Sequence, residues 1–122
     1  MTTIGGGEVM AATYKALSAI SLRQRQIADN IANVNTPGFI AGKVNFEDTL
    51  RSAINSGNRD RINSTSPTVT RSTAPTRTDG NNVNLDEETL GSQEANLQYQ
   101  LMIEIMNSQF RSLRTAAREG RS

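Results

Sequence analysis

The chain has 122 residues, a hydrophobic fraction of 35%, an aromatic fraction of 4% and a formal net charge of +1. That composition suits one modest domain with a thin core, and a nearly balanced charge provides no field that would draw nucleic acid or an anionic membrane surface. With no Cys, His or Trp, the sequence excludes disulfides, Cys/His zinc sites, nucleophile pairs built on histidine and the usual acid-base residue near neutral pH. Only Lys15 and Lys43 are left for a Ser-Lys arrangement and neither sits in a recognisable motif, so an enzyme is not expected and no cofactor or metal is implied.

The opening segment "MTTIGGGEVM" reads as a flexible N-terminus over 1–7. It lacks a basic region followed by an apolar one, and no run approaches membrane-spanning length. The chain is therefore expected not to span a membrane, and to be soluble or exported by a route that reads no cleaved signal.

From about Glu8 to Asn35 there is no Pro or Gly. Written as heptads, one seam position takes Met10, Leu17, Gln24 and Ile31 and the other takes Thr13, Ile20, Ile27 and Val34. This predicts a long N-terminal helix over 8–36 with a coiled-coil-like face. It ends on "DNIANVNTPGF", where Pro37 forces Thr36 out of helical geometry and Gly38 supplies freedom for a turn. Asn30 and Asn33 border the seam on one helix edge. Two readings of them stay open: solvated helix-end residues, or amides whose need for partners selects one packing register.

A connecting segment follows over 37–85. Phe46, Leu50 and Ile54 stand at steps of four and predict a short amphipathic helix near 46–55 that packs back on a long one. Residues 56–82 are dense in Ser, Thr, Asn, Arg and Pro, with Ile62, Val69 and Ala74 as almost their only apolar side chains. Burial cannot offset the entropy of ordering them, so a flexible stretch with weak extended character near "SPTVTRST" is expected.

The second long helix is predicted over 86–119, after Asn84 or Asp86 as a cap and with Asp86, Glu87 and Glu88 complementing the helix dipole. Tyr99, Ile103, Met106, Phe110, Leu113 and Ala117 form one seam, and Leu90, Leu97, Leu101 and Ile105 form a stripe on another side. Apolar residues on two sides call for more neighbours than one chain with two long helices supplies, so further copies are expected to cover them. Arg111, Arg114, Arg118 and Arg121 make the helix end basic. That pattern fits dipole complementation better than a phosphate-binding arm.

The stretch "DNIANVNTPGF" resembles the N-terminal signature of the bacterial flagellar rod, hook and hook-associated axial proteins. "VNFEDTL" and the later "DGNNVNLDEE…NLQYQLMIEIMNSQFRSLRTA" are more specific and resemble the proximal-rod branch of that family. Asn30, Ala32, Asn33, Thr36, Pro37, Gly38 and Phe39 fall on the axial motif; Asp79, Gly80, Asn81, Val83, Asp86, Tyr99 and Gln100 fall on the proximal-rod motif. Ile40 stands where the family often has a basic residue, with Lys43 a displaced candidate.

The resemblance implies a mainly α fold whose terminal helices pack as a coiled-coil-like hairpin around an irregular, partly β middle. It implies a subunit exported unfolded through the flagellar type III system and polymerised with itself and other rod proteins into a hollow shaft. Its neighbours would include the basal-body adaptor, the inner-membrane ring and the export apparatus. Separately, the placement of the Asn30 and Asn33 amides beside the seam leads to the expectation that they set the register of helix packing against an adjacent subunit. The alternatives are an export-linked coiled-coil regulator or chaperone that forms no lattice, and another rod subunit of the same family. A nucleic-acid-binding arm is the remaining rival.

Overall fold

A computed structural model describes residues 6–120. Of the N-terminus expected to be flexible, residues 1–5 lie outside the described residues, as does Arg121. The fold is the mainly α hairpin that the sequence implies. Helix α1 spans Gly6–Ala32 and helix α4 spans Leu85–Glu119, with strand β1 (Gly42–Asn45), helix α2 (Glu47–Asn55), helix α3 (Arg59–Ser64) and strand β2 (Thr68–Arg71) between them.

Helix α1 buries Thr13, Ala16, Ala19, Ile20, Ile27 and Asn30, and leaves the seam residues Met10, Leu17 and Ile31 half-buried; Val34, in the turn that follows, is half-buried too. The polar member of the seam, Thr13, is accommodated because its hydroxyl donates to the Val9 carbonyl at 2.7 Å. Gln24 donates to Asn96 of α4 at 2.7 Å, which makes this polar interruption a link between the two long helices.

Helix α4 runs antiparallel to α1. Asn30 meets Glu88, Ile27 meets Gly91 and Gln24 meets Asn96. The face it presents is not the seam read from its larger residues: it centres on Gly91, Ala95 and Met102. Small side chains let the helices approach closely, and a Cβ built on Gly91 would already stand 3.4 Å from Ile27 Cδ1. Met106 and Ile105 are half-buried, whereas Ile103, Phe110 and Leu113 keep 36%, 47% and 58% exposure and Leu90, Leu97 and Leu101 are more than half exposed.

The connecting segment folds over α1. Helix α2 places Leu50 and Ala53 in a core shared with Ala16, Ile20 and Ala95, and Phe46 and Ile54 pack against it. Ile62 is fully buried and fastens α3 to the same core, while the Asn58 side chain accepts from the backbone N–H groups of Asp60 and Arg61 to cap that helix. Thus the polar stretch is tied down by one apolar anchor and by side-chain to backbone bonds, which hydrophobic content alone does not register. Strands β1 and β2 pair antiparallel with Val44 opposite Val69; Val44 is buried and Val69 is exposed.

Candidate functional site

The two sequence motifs, distant along the chain, meet at the end of α1. Its last turns leave carbonyl groups without intrahelical partners. Asn33 helps to stop the helix, because its side-chain amide donates back to the Asp29 carbonyl at 2.8 Å and its oxygen accepts from the Thr36 hydroxyl at 3.1 Å. The helix consequently ends at Ala32, short of the expected position 36, and turns carry the chain through Pro37 to Gly38.

Asn81 fills the gap this creates. It is fully buried, its Nδ2 donates to the carbonyls of Asn33 at 2.8 Å and Thr36 at 2.9 Å, and its Oδ1 accepts the Val83 N–H at 2.7 Å. Asp79 supports it, accepting the Asn81 N–H on a carboxylate oxygen at 3.1 Å and the Gly38 N–H on its carbonyl at 2.8 Å. Gly38 and Gly80 both adopt positive φ, and a Cβ on Gly80 would lie 3.3 Å from the Gly38 Cα, so the two turns touch backbone to backbone.

Asn30 forms a second stitch. Its Nδ2 donates to the Gly42 carbonyl at 2.9 Å and to Glu88 Oε2 at 3.2 Å, and its Oδ1 accepts from the Gly42 N–H and from Gln26 Nε2, both at 3.0 Å. All four hydrogen-bonding positions of the amide are occupied inside the chain. Asn30 thereby ties α1 to β1 and α4 within the chain, whereas the Asn33 side chain bonds Asp29 and Thr36 at the helix end. Burial raises the Glu88 pKa above the usual glutamate value; the Asn30 bond opposes the rise and the neighbouring Glu87 adds to it.

Several residues of this junction carry no signal that sequence reading used. Asn82 accepts the Ala41 N–H at 2.7 Å and donates to the carbonyls of Ser72 and Ala74 at 3.3 and 3.2 Å. Arg77 donates to the Val83 carbonyl at 2.8 Å and to the Val34 carbonyl, bridging the end of α1 to the approach of α4. Gly42 lies close against α1, where an added Cβ would displace the Gln26 amide from its place beside Asn30. Adjacency to Asn81 and Asp79 was the one available hint for Asn82 and Arg77.

The other motif residues divide clearly. Phe39 is half-buried and Val83 buried at the junction, whereas Ala32, Thr36 and Pro37 are exposed beside it. Asp86, Tyr99 and Gln100 are exposed on α4 and are not part of it. Lys43 is exposed on β1. Asn84, the residue preceding α4, caps that helix by accepting from the N–H groups of Asp86 and Glu87.

The amides of this junction are used up in holding backbone, and the large apolar residues of the long helix face outward. Fold and site together therefore define a structural protein of the assembling kind. Residues 13–39 match the family model described as "Flagella basal body rod protein". The chain is 32% identical over 116 residues to the flagellar basal body rod protein FlgB of Bacillus subtilis, covering 87% of this chain and 90% of the relative. It is 34% identical to the FlgB of Borrelia hermsii over 82% of this chain and 88% of the relative, and 28% identical to that of Escherichia coli over 87% and 90%. The chain belongs to the FlgB family of flagellar basal-body rod proteins. It is a structural rod subunit and not an enzyme. No helix among the described residues is long and apolar enough to cross a membrane.

Proposed function

We propose that this chain is the proximal subunit of the rod, polymerising through its terminal helices with itself and other rod proteins into the hollow shaft that transmits torque. In this reading it is exported through the flagellar type III system without a cleaved signal. It then sits on the periplasmic side of the basal body, against the adaptor and inner-membrane ring. The observation that carries the reading is the outward placement of Leu90, Leu97, Leu101, Ile103, Phe110 and Leu113 on one helix, more large apolar surface than a solitary subunit leaves in water. Stacked copies bury it, and many weak lateral contacts in a closed lattice add to a stiff tube.

Complementation of a strain lacking the chain tests this. A variant with Leu97→Glu and Leu101→Glu changes only exposed positions, so the purified protein keeps its far-ultraviolet dichroism while cells form no complete rod and do not swim. Wild-type motility with that variant would defeat the assignment of these stripes to subunit contacts. A reconstruction of isolated basal bodies, with the chain located in the density, tests the proximal position.

A further inference from the structure

Asp79-Gly80 is the only place in the chain where an Asp or Asn precedes a glycine. An aspartate in that setting can close on its own chain: the nitrogen of the next residue attacks the side-chain carboxyl carbon, and the five-membered ring forms fastest where that residue has no Cβ to obstruct it. In the folded chain hydrogen bonds hold the reacting groups apart. The peptide unit between Asp79 and Gly80 is pinned at both edges, its carbonyl accepting the Gly38 N–H and its N–H donating to the Arg77 carbonyl, each at 2.8 Å. The carboxylate is engaged as well, since Oδ1 accepts the Asn81 N–H at 3.1 Å and lies 3.8 Å from Arg77 Nε. A planar unit anchored on both sides resists turning its nitrogen onto the carboxyl carbon. The Asp79 side chain is 40% exposed, so the protection comes from these bonds and not from burial.

We infer that Asp79-Gly80 is a modification site guarded by the junction: a chain held unfolded converts Asp79 to isoaspartate, and the converted chain does not rebuild the junction. The conversion is redox-neutral and water is its one co-reactant. The Gly80 nitrogen bonds to Asp79 Cγ and gives up its proton, while the carboxyl hydroxyl leaves with that proton as water. Water then adds to the ring carbonyl next to the Asp79 Cα. The bond from that carbon to the Gly80 nitrogen breaks, and the nitrogen keeps the electron pair and takes a proton from the water. The backbone now runs through Cγ, longer by one carbon, and the former backbone carbonyl has become a free carboxylate. The two acceptors of Asp79 thereby exchange places. The group that received the Gly38 N–H is no longer part of a peptide unit, and the group that received the Asn81 N–H is now the chain itself. Nor is there room for the longer backbone where even a Cβ on Gly80 would stand 3.3 Å from the Gly38 Cα. The site thus limits how long the chain can stay unfolded and still fold, whatever the subunit assembles with.

The purified full-length chain is aged at neutral pH in two samples, one native and one unfolded in urea, and then digested and mapped. An isoaspartyl peptide has the mass of its parent but a different retention time, and a protein isoaspartate methyltransferase methylates its free carboxylate. The peptide spanning Asp79-Gly80 should shift and become a methyl acceptor in the unfolded sample and stay unchanged in the native one. After the urea is removed, converted chains should fail to regain native dichroism, whereas unconverted chains from the same sample regain it. Asp79→Glu, whose longer side chain does not close the five-membered ring, controls for other damage and should refold after ageing as fully as when fresh. Equal conversion in the native and unfolded samples overturns the guarding, and no conversion in the unfolded one overturns the site. Converted chains that refold with the parent melting temperature, or aged Asp79→Glu that refolds no better than the aged parent, overturn the effect on the junction.

Discussion

Asn81 closes the end of α1 on behalf of Asn33, donating to its carbonyl at 2.8 Å across 48 positions of sequence and to that of Thr36 at 2.9 Å. The motif that ends the first helix and the motif that introduces the last one are thus two halves of one hydrogen-bonded joint. The joint ties the segment that leads into α4 to the end of α1.

Asn81→Ala should accordingly destabilise the subunit by about 2–3 kcal/mol, because it leaves two carbonyls and the Val83 N–H without their partner in a buried place. Asn81→Asp is the sharper variant. It retains an acceptor for Val83 but sets a carboxylate against two carbonyl oxygens, so it should be no better than alanine. Urea denaturation followed by dichroism compares them, and a fully stable Asn81→Asp variant would show that the donor half of the amide is not what matters.

The two asparagines bordering the α1 seam should separate. Asn30 is 1% exposed with four hydrogen bonds, whereas among the described residues the Asn33 side chain bonds Asp29 and Thr36 nearby. Asn30→Leu should cost roughly 2 kcal/mol or more and raise hydrogen exchange at Gly42, while Asn33→Ala should cost under about 1 kcal/mol. Equal effects would refute the distinction drawn from the geometry.

That distinction marks the limit of what the sequence disclosed. The Phe46, Leu50, Ile54 helix follows from helical period and is found, whereas the first long helix ends at Ala32, before the Thr36-Pro37-Gly38 stop that proline sterics predict. The partners of Asn30 and Asn81 depend on which distant segments the fold brings near, and nothing local encodes that. The packed face of α4 was hidden for a different reason. Gly91 and Ala95 carry almost no hydrophobic signal beside Phe110 and Leu113, but close approach of backbones favours the small residues for the internal contact. Ile62 shows the converse error, since one fully buried isoleucine in a polar stretch orders a helix that average composition would leave loose.

The contact between the two turns leads to a graded prediction. Both Gly38 and Gly80 hold positive φ, which costs a residue bearing a Cβ about 1–2 kcal/mol. Gly38 has open space around the added atom, whereas Gly80 faces the Gly38 Cα at 3.3 Å. Gly80→Ala should therefore lower the melting temperature more than Gly38→Ala does. The reverse order in a calorimetric comparison would count against close backbone contact at the joint.

Two glutamates give pH dependences of opposite sign. Burial raises the Glu88 pKa and outweighs the bond from Asn30, so the folded chain holds that proton more tightly than the unfolded one. Its contribution is full below the ordinary value of 4.5 and is lost as pH rises through the folded value. Burial also opposes ionisation of Glu47, but the bonds from Arg23 and from the backbone of Glu47 and Phe46 together outweigh it and lower the pKa. Its contribution is present above the ordinary value and is lost as pH falls through the folded one. Glu88→Gln, which keeps an oxygen for Asn30, should therefore be neutral or stabilising at neutral pH and lose that advantage in acid. Glu47→Gln should destabilise at neutral pH and converge with the parent in acid. Melting temperatures of the three proteins across the acid range check both signs, and a Glu88→Gln variant that is less stable at neutral pH would mean that the charged carboxylate, and not its burial, dominates the contact with Asn30.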